Sequence, residues 1–183
     1  MKLIVGLGNF PEKYKVTRHN VGFLAVDEYC KKNKLKLNNN KFNGIFFKDN
    51  NYIIAKPYTL MNLSGQFIKA IIDFFKIEKK NILVICDDIN LDIGRIKIKN
   101  NGSGGGHNGL NNIFELLKTE EIKRIKIGVS KKPKEMILSD YVLSNFSKIE
   151  LEKLAKAFTE INNVIDEFIG NKVFEKIMLK YNA

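Results

Sequence analysis

The run ILVIC at Ile82–Cys86, followed at once by Asp87 and Asp88, decides how this chain folds. Every position in it is apolar, the pattern of a strand covered on both faces in a sheet with parallel neighbours. Outward from it, strand patterns alternate with helical ones. Strands are expected at Lys2–Val5, Gly44–Phe47, Tyr52–Lys56, Arg95–Lys99 and Lys123–Val129. Ile96 and Ile98 alternate with Arg95, Lys97 and Lys99, which predicts one wet face. Helices are expected at about Asn20–Asn33, Ser64–Phe75 and Leu110–Leu117. In the second, Phe67, Ile68, Ile71, Ile72 and Phe75 form the stripe of a helix packed on a sheet, with Ser64 as its N-cap. Ser147 and Glu150 have capping-box spacing ahead of a helix reaching Phe158 or beyond, and a last helix is expected around Lys172–Leu179. The fold class is therefore α/β: a single domain over residues 1–183, built as a three-layer α/β/α sandwich around a twisted, mixed, mostly parallel sheet.

The bulk numbers narrow the setting. With 183 residues, 44% of them apolar, the chain suits one domain with a full core. Met1 leads straight into a strand, so no signal peptide is expected. No apolar run approaches the ~18 residues of a membrane helix. Cys30 and Cys86 fall on predicted core elements without CxxC spacing, which suits buried free thiols in a reducing, cytoplasmic compartment. The formal net charge of +11 favours a polyanionic partner. Nearly all the basic residues are lysine, however, and Asn38-Asn39-Asn40 shows a matching asparagine bias that genome composition also produces. Charge alone does not decide the partner.

Four polar loops follow apolar strands. The first, in VGLGNFPEKYKVTRHNV (Val5–Val21), carries Asn9, Tyr14 and His19, the last at the start of a helix whose unpaired N–H groups are expected beside the ring. The second, PYTLMNLSG, puts Asn62 before a helix; the third ends the apolar strand with Asp87 and Asp88. The fourth, NGSGGGHNG (Asn101–Gly109), places His107 and Asn108 at the mouth of another helix. Ligands of open α/β sheets bind beyond the carboxyl ends of the strands, so Asn9, His19, Asn62, Asp87 and Asn108 are candidates to line one cleft. Plainer readings stand beside this one: Asn62 and Asn108 as helix caps, Asp87-Asp88 as a turn, residues 102–106 as a flexible loop. The GLG at 6–8 lacks a full GxGxxG, and Asp27, at the distance of a ribose ligand, lies inside a predicted helix. A metal is not expected, because the two histidines lie far apart in sequence. No activated Ser or Cys signature appears. A histidine, an aspartate to orient it and several carboxamides suit general-base activation of water on a carbonyl.

Six ordered blocks carry a resemblance: KLIVGLGN, Tyr14-x-x-Thr-Arg-His-Asn, KPYTLMNLSG, ILVICDDINLDIG, SGGGHNGL and RIKIGVS, with YVLSNF at 141–146 a weaker seventh. Over essentially its full length the chain resembles the bacterial-type peptidyl-tRNA hydrolase family. The resemblance implies an esterase that cleaves peptide from the tRNA 3′-ribose and recycles stalled peptidyl-tRNA in the cytoplasm, as a monomer without metal or organic cofactor. It implies His19 as general base, Asp87 as its orienting partner and Asn9 as the group that senses a blocked α-amino group. Asn62 and Asn108 correspond to substrate-positioning amides, with Tyr14, Leu60 and Met61 as the adjacent wall. Lys99 and Lys126 correspond to basic residues that grip tRNA phosphates.

Three positions depart from the pattern. Asn9-Phe10-Pro11 stands where Asn-Pro-Gly is usual, and Pro11 fixes a φ that glycine leaves free. Leu60 replaces an aromatic. Lys126 replaces an arginine, trading a bidentate fork for a point charge. Two rival functions are a non-catalytic RNA binder on the same fold, which would not need His19 and Asp87, and a nucleotide-binding oxidoreductase.

Overall fold

The computed structural model describes residues 1–183. Strands β1 (Lys2–Gly6), β2 (Asn39–Lys41), β3 (Gly44–Lys48), β4 (Tyr52–Pro57), β5 (Ile82–Asp88), β6 (Ile96–Lys99) and β7 (Lys123–Gly128) form one seven-stranded sheet. Its order is β2-β3-β4-β1-β5-β7-β6. The central strands β4, β1, β5 and β7 run parallel, and the pairings toward β2, β3 and β6 are antiparallel. The helices are α1 (Val21–Lys32), α2 (Ser64–Phe75), α3 (Asn108–Leu117), α4 (Leu138–Val142), α5 (Lys148–Ile169) and α6 (Phe174–Tyr181).

The period-two alternation of the strands divides their side chains between two cores. Leu3, Val5, Ile82, Val84 and Cys86 pack with Phe67, Ile68, Ile71 and Ile72 of α2 and Leu110, Ile113 and Phe114 of α3. Ile4, Leu83 and Ile85 face the other way, onto α1, α5 and α6. All seven residues of β5 are buried, as its uninterrupted apolar run requires.

Several expectations are corrected here. The central strand continues through Asp87 and Asp88, which are neither loop nor turn. Ser64 is not an N-cap: it is the first residue of α2, and its hydroxyl donates to the Met61 C=O at 2.8 Å instead of accepting from a helix N–H. The strand β2 and helix α4 had no pattern to betray them. The Asn-Asn-Lys of β2 is exposed throughout, and α4 has five residues, too few for a helical period to show. The capping box at Ser147 and Glu150 is formed, and α5 runs on to Ile169.

Glycines set the placement of α1. A Cβ on Gly6 would stand 2.2 Å from the Gly22 carbonyl oxygen, and one on Gly22 would stand 2.3 Å from that of Ile85. The first turn of α1 thus lies directly on the backbone of β1 and β5. His19, three residues before Gly22, is thereby carried over Asp87, two residues beyond Ile85. The GLG segment serves this close packing, and Asp27 sits within α1, paired with Lys56 at 2.5 Å.

Candidate active site

The structure brings both histidines onto one carboxylate. His19 Nδ1 lies 2.8 Å from Asp87 Oδ1, and His107 Nε2 lies 2.9 Å from the same oxygen. Their separation in sequence, which spoke against a metal site, does not keep them apart. All three residues line a cleft of about 260 Å³ with Asn108, Lys126 and the glycine-rich loop. His107 is the functional candidate that sequence reasoning missed. Its only signals were its rarity and its place at a helix mouth.

Hydrogen bonding fixes where the protons are. His107 is the N-cap of α3, a role the sequence had offered to Asn108, and its Nδ1 accepts the Leu110 N–H at 3.2 Å. A ring nitrogen that accepts carries a lone pair, so the neutral His107 ring holds its hydrogen on Nε2 and donates it to Asp87. An ionised carboxylate is acceptor-only, so His19 also donates, through Nδ1. This leaves the lone pair of His19 on Nε2, which has no partner within the protein. Burial pushes the Asp87 carboxyl up, but the charges and hydrogen bonds of His107 and His19 outweigh it and hold Asp87 well below the usual carboxylate range.

His19, Asp87 and His107 are also the one group of residues able to converge on a metal, with ligand atoms within 4.8 Å of one another. A cation would need the lone pair of His107 Nε2. That lone pair exists only if Nδ1 takes the hydrogen and gives up the Leu110 N–H. The hydrogen-bonded arrangement suits proton transfer better than metal ligation.

Asn9 is buried and its orientation is set on two sides. Its backbone N–H donates to Asn20 Oδ1 at 2.8 Å while Asn20 Nδ2 donates to its C=O at 2.9 Å. Its Oδ1 accepts the Met61 N–H at 2.7 Å. Because Met61 N–H can only donate, the atom facing it must be oxygen, and Nδ2 is left as a free donor. The open N–H groups expected around His19 are largely spent: Arg18 N–H donates to Ser144 and Asn20 N–H to Thr17. Donors for a developing oxyanion must therefore come mainly from side-chain amides.

Asn62 and Asn108 are exposed and their amides make no hydrogen bond within the chain, so neither serves as a helix cap. Met61 is buried and Leu60 is exposed. Tyr14 is half-buried beneath the Lys13 ammonium, 4.9 Å from its ring. Neither it nor Asn9, Leu60, Met61 or Asn62 lines the His19 cleft; of the five residues expected to share one cleft, His19, Asp87 and Asn108 do. Lys126 does line it, but its Nζ is 2.8 Å from Asp88 Oδ2 with both side chains largely buried. Lys99 has no ionic partner. Burial, then the charges of Lys126, Arg124 and Lys97, lower its pKa, the mark of crowded cations.

The glycine-rich loop is tethered from inside the sheet. Arg124, fully buried on β7, donates through Nη2 to the carbonyls of Asn101 at 2.7 Å, of Gly102 and of Ser103 at 3.3 Å. Its guanidinium lies over the Phe114 ring at 5.0 Å. A buried charge needs such hydrogen bonds, and within this guanidinium Nε alone is left without one. Here they hold the loop that delivers His107 to Asp87.

Comparison with known proteins agrees with this architecture. The peptidyl-tRNA hydrolase family model matches residues 3–183. A peptidyl-tRNA hydrolase of Malacoplasma penetrans is 45% identical over 185 residues, covering 99% of this chain and 98% of the relative. One from Mycoplasmopsis pulmonis is 48% identical over 171 residues, covering 93% and 91%. The crystal structure of a peptidyl-tRNA hydrolase from Acinetobacter baumannii superposes with a TM-score of 0.92 at 30% identity, covering 100% of this chain and 95% of that one.

Proposed function

The chain belongs to the peptidyl-tRNA hydrolase family, and on that premise we propose how it hydrolyses the ester bond between peptide and tRNA. His19 Nε2 takes a proton from water, and the water oxygen attacks the ester carbonyl. Asp87 holds the basic tautomer and stabilises the imidazolium that forms. The proton then passes to the departing ribose oxygen, releasing the peptide acid and free tRNA for recycling in translation. The observation that carries this reading is the 2.8 Å contact of His19 Nδ1 with Asp87, which leaves Nε2 unpartnered in the cleft.

Asn9 supports the selection of blocked substrates. Its free Nδ2 donor suits the amide carbonyl that an N-acylated residue carries, whereas a free α-ammonium would meet a donor with a donor. Asn62 and Asn108, uncommitted within the chain, suit substrate positioning, and Tyr14, Leu60 and Met61 are assigned to the adjacent wall by family resemblance. Lys99 and Lys126 suit the tRNA phosphates. The enzyme acts as a cytoplasmic monomer and needs no metal. No helix is long and apolar enough to cross a membrane.

The test is release of peptide from N-acetyl-aminoacyl-tRNA, with and without chelator. His19→Ala should lose at least about 100-fold in kcat, the scale of general-base catalysis, while tRNA affinity persists. Near-normal turnover in that variant overturns the mechanism, and loss of activity on chelation overturns its metal independence.

A further inference from the structure

Immediately after the buried Asn9 the chain turns apolar residues outward. Phe10 and Leu60 are each 49% exposed. The Phe10 ring rests on Tyr58, with centroids 4.0 Å apart and planes at 32°. The Phe10 N–H donates to the Thr59 C=O at 3.3 Å, one residue before Leu60. Two loops, one following β1 and one following β4, are thus cross-tied into a small apolar surface. It adjoins the Asn9–Met61 contact. Clustered apolar side chains in water carry an unfavourable hydration free energy, and beside a binding site such a surface marks ligand contact.

The sheet order decides which part of a substrate reaches it. β4 and β1 lie on one side of Asp87, and β7 and β6 on the other. The second side carries Lys97, Lys99 and Lys126. The first side, across residues 8–11 and 57–61, carries no charged side chain. A polyanionic tRNA is drawn to the cationic side, which directs the acyl chain across the uncharged one. With the ester-linked residue against Asn9, the next peptide residue lies one step further, about 3.8 Å along the chain. Phe10 directly follows Asn9 on that uncharged side.

We propose that Phe10, supported by Tyr58 and flanked by Leu60, forms a platform for the side chain of the peptide residue that precedes the ester-linked one. The enzyme accordingly prefers apolar residues at that place. This rests on the peptidyl-tRNA reading above.

The experiment compares two substrates, acetyl-leucyl-alanyl-tRNA and acetyl-seryl-alanyl-tRNA, by kcat/KM within each variant. The parent should favour the leucyl substrate about tenfold, the scale of discrimination by one partly covered apolar group. Phe10→Ser should bring the ratio close to one, and Phe10→Leu should restore most of it. A parent ratio of one, or an unchanged ratio in Phe10→Ser, overturns the proposal. So does an intact ratio accompanied by weaker binding of deacylated tRNA to Phe10→Ser, which would assign the platform to the nucleic acid. If the parent hydrolyses neither substrate, the functional reading fails and this proposal falls with it.

Discussion

Asn9 and Asn62 carry the same side chain on neighbouring loops, yet the fold treats them in opposite ways. Asn9 is buried, with its oxygen held by Met61 and its backbone locked to Asn20. Asn62 is exposed and bonded to nothing in the chain. The same contrast separates Asp87, which accepts from two histidines, from Asn108 and Lys99 at the rim. Groups already committed to protein partners have their direction set before substrate arrives. Uncommitted groups take theirs from the substrate. The first class should govern the chemical step, and the second should govern affinity.

The largest test removes the shared acceptor. Asp87→Asn should lower kcat by about 10³–10⁴-fold, because an amide there no longer dictates the tautomer of His19. The same substitution reports on stability. Asp87 is depressed in the folded state, so its contribution is present above the ordinary carboxylate range near pH ~4 and is lost as the pH falls below it. Denaturant titrations should show acid destabilisation of the parent below that range and a flatter profile in Asp87→Asn.

Next in size is His107→Asn, which separates the two duties of that ring. Asparagine is a good N-cap, so α3 should keep its stability, while the hydrogen bond to Asp87 is lost. A bond to a charged acceptor is worth about 1.5–3 kcal/mol, so kcat should fall about tenfold or more with little change in KM. His107→Ala should in addition lose the cap, lowering the unfolding free energy by about 1 kcal/mol. An unchanged kcat in His107→Asn would move His107 out of the committed class.

The smallest effects lie among the rim cations. Lys99→Ala should reduce the slope of log affinity for tRNA against log salt by about 1, the value of one phosphate contact. Lys126 is restrained by Asp88, so Lys126→Ala should change the slope less. Asp88→Asn should steepen it by freeing that ammonium. Equal slopes for the two lysine variants would erase the distinction drawn between them.

Much of this was legible in the residues. The apolar run at 82–86 revealed the central strand, and the stripe at Phe67–Phe75 revealed the span of α2 though not its cap, because hydrophobic periodicity is a local signal. The site was legible only in part. His19 and Asp87 stood out as chemistry, but their contact depends on Gly6 and Gly22 letting α1 lie on two strands, a nonlocal fact. His107 was harder still. Its position follows from a buried arginine seventeen residues further on, whose strand pattern, Arg124-Ile125-Lys126-Ile127, resembles any half-wet strand. The exposed Asn-Asn-Lys of β2 carries no pattern, because an edge strand that buries nothing places no demand on its side chains.

The two cysteines acquire a use from the division of the interior. Cys30 belongs to the core beneath α1 and Cys86 to the one beneath α2 and α3. Both are free and buried; burial first, and nearby aspartate, push the Cys30 thiol up to about 11 and Cys86 further. Neither should react with an alkylating reagent until its own layer opens. The native chain thus contains a matched pair of unlabelled reporters, one for each face of the sheet. Pulsed alkylation with peptide mass analysis would show whether the two halves of the sandwich come apart together or in turn.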